Sequence, residues 1–70
     1  MDLSLGDKVS LKRSMPYLKT SDPMPMLRPP DLVPLDEIGE IVGLRPKGDF
    51  EVQFRRGKFL IPEEYLIIKA

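Results

Sequence analysis

The sequence predicts an all-β domain: a small five-stranded SH3-like barrel with a long first loop rich in proline and methionine and a short 3₁₀ turn before the last strand. Three observations predict it. Apolar and polar residues alternate with period two in several short segments, as half-buried strands do. Gly- and Pro-containing turns punctuate those segments at close intervals. Six of the eight prolines (Pro16, Pro23, Pro25, Pro29, Pro30 and Pro34) crowd into one stretch, where neither a long helix nor a central strand tolerates them.

The elements follow in order. Gly6-Asp7 signals a turn, and Asp7–Lys12 alternates as a first strand with Val9 and Leu11 inward. Residues 12–36 form the long loop. Glu37–Arg45 reads as a second strand whose Gly39 and Gly43 mark a bulge or tight bend. After a turn at Pro46-Lys47-Gly48-Asp49, Phe50, Val52 and Phe54 face one way, and Glu51, Gln53 and Arg55 the other. Arg56-Gly57 turns the chain into Lys58–Ile61. Pro62-Glu63-Glu64 starts a short helical turn, proline being suited to its first position. Tyr65–Lys69 is the last strand. The expected core is Val9, Leu11, Ile41, Phe50, Val52, Phe54, Phe59, Ile61, Leu66 and Ile68. Closure into a barrel would remove the exposed edges of so short a sheet.

Seventy residues make one domain, 1–70, with stability of only roughly 3–5 kcal/mol. There is no cysteine, so no disulfide or thiolate metal site supports the core, and no histidine, the commonest general base and metal ligand. Eleven basic residues balance eleven acidic ones, which disfavours nucleic acid as a partner because such affinity rests on phosphate neutralisation. No apolar run is long enough to span a membrane, and the N-terminus is too polar for a signal peptide. The expectation is a cytoplasmic, monomeric protein without catalytic residues, metal or cofactor. The carboxylate pairs do not alter it. Asp36 and Glu37 would diverge on a strand. Glu63 and Glu64 suit the first turn of a short helix, where the dipole favours acids.

Two features carry the expectation of binding. Met15–Asp31 holds one tyrosine, three methionines, two cations and five prolines in 17 residues. Methionine adapts to varied surfaces, proline pre-orders an exposed loop, and Tyr and Arg dominate interface hot spots. Tyr17, Lys19, Met24, Met26, Leu27 and Arg28 are therefore candidate partner-binding residues. Met24, Met26 and Leu27 serve equally well as an apolar plug over one end of the barrel. The second feature is a basic cluster, Arg45, Lys47, Arg55, Arg56 and Lys58, of which Arg55 and Arg56 join the candidate set. It reads as ordinary solvated turn residues or as a steering surface for an acidic partner, and as two patches if its turns sit at opposite ends of the third strand.

The run Pro16-Tyr17-Leu18-Lys19-Thr20, then Asp22-Pro23-Met24-Pro25-Met26-Leu27-Arg28-Pro29-Pro30-Asp31, resembles the SipA family of small cyanobacterial regulators with SH3-like barrels. The resemblance continues through Gly39, Arg45-Pro46, Gly48, Val52, Phe54, Gly57, Phe59-Leu60 and Tyr65-Leu66. The chain departs from that pattern at Asp49-Phe50-Glu51, where an aromatic pair with tryptophan would be expected. The resemblance implies binding to the ATP-binding domain of a sensor histidine kinase of the NblS type, an effect on its response regulator, and a role in light and stress acclimation. The alternative is an SH3-like accessory subunit of a photosynthetic electron-transport complex, of the ferredoxin-docking type. A KOW-like RNA-binding module ranks third, since zero net charge counts against it.

Overall fold

Strand alternation and turn chemistry build seven strands in the computed structural model, which describes residues 3–21, 24, 26–46 and 48–69. Asp22, Pro23, Pro25 and Lys47, all named above, lie outside the described residues. The strands are β1 (Lys8–Leu11), β2 (Leu18–Thr20), β3 (Leu27–Arg28), β4 (Gly39–Leu44), β5 (Asp49–Phe54), β6 (Gly57–Pro62) and β7 (Leu66–Ile68). Two 3₁₀ turns, Pro30–Leu32 and Glu63–Tyr65, complete the described secondary structure. The second is entered from Pro62 and carries Glu63 and Glu64 in its first turn, as the sequence predicts.

All pairings are antiparallel, and the sheet order is β3-β2-β6-β5-β4-β1-β7. The all-β class is therefore seen, but the sheet has seven strands, not five, and it runs from one edge at β3 to the other at β7 without closing into a barrel. The two extra strands come from inside the 12–36 segment, expected as loop throughout. Their physical cause is local. Thr20 N–H donates to the Met26 carbonyl at 2.8 Å, and Met26 N–H donates to Thr20 Oγ1 at 2.9 Å. One threonine thus closes a hairpin from both sides, and the prolines fall outside the paired positions Leu18↔Arg28 and Lys19↔Leu27. The hairpin docks on β6 through Lys19↔Leu60 and Thr20↔Phe59.

Two glycines act where expected, for separate reasons. The register between β4 and β5 slips by one residue between Ile41 and Gly43, a bulge beside Val42. At Gly39 the reason is space: an added Cβ would lie 2.8 Å from the Phe54 ring and from Cγ1 of Val52. Gly57 ends the β5–β6 turn at φ 138°, a conformation other residues rarely adopt.

The core lies on one face of this sheet. Val9, Leu11, Ile41, Val52, Phe54, Phe59, Ile61 and Leu66 are buried as expected. The Phe54 and Phe59 rings pack at 6.4 Å, tilted by 41°. Two expectations need correction. Phe50 only packs against the margin of the core. Ile68 lies opposite Val9 but near the end of edge strand β7, which has a neighbour on one side only, and it is 39% exposed. Leu3, Met15, Leu18 and Val33 complete the core from segments without period-two patterning.

Candidate functional site

The first connection contributes one inward and one outward set of side chains. Met15, Leu18 and Val33 are buried, and they seal the core from the proline-rich side. Met24, Met26 and Leu27 are 84%, 50% and 65% exposed, so they do not form the plug. The plug exists, but other residues make it. Lys19 sits on the outward face of β2, and Tyr17, just before it, is 47% exposed.

The registers place Leu27, Lys19, Leu60, Glu51 and Gly43 in one outward row across five strands. Glu51 is the best-held residue of that row, its side chain only 17% exposed. The Ser21 hydroxyl donates to its Oε2 at 2.8 Å, and Arg45 Nη2 lies 3.5 Å from its Oε1. Gly43 lacks a side chain where this carboxylate lies across the strand. Glu51 therefore ties the end of β2 to the central strand. Period-two reading marked it only as solvent-facing, because alternation assigns a face and not a partner.

Arg28, on β3, lines a cleft of about 320 Å³ with Arg56 from the β5–β6 turn and Lys58 at the start of β6, above Thr20, Leu32 and Phe59. Among the described residues, none of these three cations lies within salt-bridge distance of a carboxylate. The sequence presented the loop and the basic turn as separate features, and the hairpin's docking on β6 brings them together. Arg55 faces an adjacent cleft with Asp31 and Glu37, and its backbone N–H donates to Glu37 Oε2 at 2.7 Å. Arg45 stands at the other end of β5, engaged by Glu51, so the basic residues form two patches.

A second groove, about 290 Å³, opens on the other side of the hairpin between Tyr17 and the second 3₁₀ turn. Its floor is the outward face of β6, Leu60 and Pro62, and Tyr65 walls its far side. Of this set only Tyr17 and Lys19 were candidates from sequence. Tyr65 read as the start of a strand; its place at the end of a proline-initiated 3₁₀ turn, which projects it from the sheet, was the available signal.

Three basic side chains thus share one cleft. Comparison with known proteins identifies its family. The family described as CRR42-like, Protein CHLORORESPIRATORY REDUCTION 42-like, matches residues 5–66, all but the first four and last four positions. No curated protein and no solved structure matches the chain. The family match overturns the resemblance to the SipA family, and with it the expected histidine-kinase partner, the effect on a response regulator and the two-component stress context. The motif that suggested them, Asp22–Asp31, is rich in proline and methionine, a composition that is no guide to a particular partner. The chain belongs to the CRR42-like family.

Proposed function

We propose that this chain is a non-enzymatic accessory protein of a photosynthetic electron-transport complex, of the chlororespiratory kind, and that it docks an acidic partner. The observation that carries the reading is the family match over residues 5–66, whose description names chlororespiratory reduction. The geometry supplies the means. Arg28, Arg56 and Lys58 present three positive charges on one cleft, above the apolar Leu32 and Phe59. Such an arrangement steers an acidic protein such as ferredoxin and fixes its orientation. With no histidine or cysteine in the chain, redox and acid–base chemistry belong to the partners.

The reading includes an SH3-like core. The run β7-β1-β4-β5-β6 supports it, because the last, first, second, third and fourth of those five strands are neighbours in that order, with a long first connection and a 3₁₀ turn before the last strand. The β2–β3 hairpin is then an elaboration of the first loop. The protein works as a monomer on the cytoplasmic side of the membrane that carries the complex. No helix among the described residues is long and apolar enough to cross it.

The test is recovery of the tagged chain from gently solubilised photosynthetic membranes. It should co-purify with an electron-transport complex, and Arg28→Glu with Arg56→Glu should lower that recovery at least tenfold without unfolding the protein. Recovery of the chain alone, or with a complex outside electron transport, would sink the reading.

A further inference from the structure

Both tyrosines of the chain, Tyr17 and Tyr65, line the same groove, together with Pro16, Pro62, Leu60 and Lys19. We propose that this groove docks a proline-rich segment of a partner protein in the polyproline II conformation. The size suits a short extended segment: about 290 Å³ lies just under the range of ligand pockets, which run from about 300 to 1,000 Å³. A polyproline II helix has three residues per turn and presents its ring faces as a regular apolar ridge, which aromatic-lined grooves accept.

The hydrogen-bonding chemistry matches as well. A proline-rich segment offers many carbonyl acceptors and few N–H donors. The groove offers donors: the two phenol hydroxyls and the Lys19 ammonium. Among the described residues no hydrogen bond to another residue holds either phenol. Asp49 also lines the groove, so the lining carries one positive and one negative side chain. The groove thus suits a neutral apolar ligand, whereas the Arg28 cleft suits an acidic one.

The walls are set before a ligand arrives. The Arg13 guanidinium carbon lies 4.8 Å from the centre of the Tyr65 ring, and Arg13 also reaches Glu64 at 3.9 Å. The Tyr65 carbonyl accepts from Lys12 N–H at 2.6 Å, and Glu63 N–H donates to the Gly48 carbonyl at 3.2 Å. On the opposite wall, buried Met15 anchors the segment that carries Pro16 and Tyr17. A braced Tyr65 wall and a pre-extended ligand each lose little freedom on binding.

The chain contains no tryptophan, so its intrinsic fluorescence comes from the two groove tyrosines alone. A blocked peptide of Leu-Pro-Pro repeats should change that emission saturably, and the same peptide with alanine for every proline should not. Tyr17→Ala should weaken binding about tenfold or more, as loss of an interface tyrosine does. Arg28→Glu should leave it unchanged. Amide chemical-shift mapping on the wild-type chain gives an independent readout, with the largest shifts at Tyr17, Leu60 and Tyr65. The proposal fails if the emission does not saturate into the millimolar range, if the alanine peptide responds equally, or if the shifts map to the Arg28 cleft. It also fails if Tyr17→Ala binds undiminished, or if sedimentation shows a second copy of the chain filling the groove. None of these outcomes depends on which complex the protein serves.

Discussion

The meander from Gly39 to Pro62 and the connection from Lys12 to Ile38 are of similar length and are built on opposite principles. In the meander, three six-residue strands pair along nearly their whole length, and inward side chains alternate with outward ones except at the bulge beside Val42. In the connection, paired strands are two and three residues long, and three buried apolar side chains hold the segment down. The meander places almost every large apolar residue of its inward face in the core. The connection places Met24, Met26 and Leu27 in solvent. One region supplies stability, and the other uses a little of it to hold a surface in place.

The strongest test of that contrast removes one fully buried side chain from each region. Ile61→Ala, in the meander, should cost about 2–5 kcal/mol, as cavity-forming core substitutions do. Against a total of roughly 3–5 kcal/mol, most of the chain should be unfolded at room temperature. Leu18→Ala, in the connection, should cost about 2 kcal/mol, the low end of that range, because a short strand next to the sheet edge can close over the cavity. Urea titrations followed by circular dichroism read both. Equal losses would mean that the connection is as much core as the meander. A loss near zero for Leu18→Ala would mean that it merely covers it.

The same contrast explains what was legible in the sequence. All five strands expected from period two are present, and eight of their ten proposed core residues are buried, because a half-buried strand writes its environment into its alternation. The hairpin was not legible. Its strands are too short to show a period, and its closure depends on the Thr20 hydroxyl meeting Met26 N–H, a contact six residues apart. For the same reason Met15, Leu18 and Val33 did not read as core. At the candidate site, residue type marked Tyr17, Lys19, Arg28 and Arg56. Their division between two surfaces did not follow from the sequence, because it depends on β2 docking on β6. The partner did not follow either, since a composition of prolines and methionines determines how a surface adapts and leaves its complement open.

A smaller effect probes the seam between the two regions. The Ser21 hydroxyl reaches the largely covered Glu51 carboxylate, bridging the end of β2 to the central strand β5. Ser21→Ala should cost about 0.5–1.5 kcal/mol, the net worth of one hydrogen bond. Its local consequence should be larger than its global one. Amide exchange should accelerate at Thr20 and Ser21, whose N–H groups donate to Met26 and Lys58, and should stay unchanged at Val52 and Ile61. Uniform acceleration would mean that the connection and the meander open as one unit.

The smallest effect on stability separates display from packing most cleanly. Met26 is half exposed, and its structural role is carried by its backbone, which both donates to and accepts from Thr20. Met26→Asp keeps those backbone groups and places a charge where the side chain already meets water. Stability should stay within about 0.5 kcal/mol of the parent chain, as for surface substitutions elsewhere. Partner capture from photosynthetic membranes should nevertheless fall, for two reasons. A carboxylate two residues from Arg28 would compete for the cations that the proposed function gives to an acidic partner. It also replaces the adaptable side chain on the hairpin that flanks that cleft. If the variant melts well below the parent, Met26 packs, and the connection is more core than surface. If it keeps both stability and capture, the β2–β3 hairpin is only a closure for β2, and recognition rests on the two clefts on either side of it.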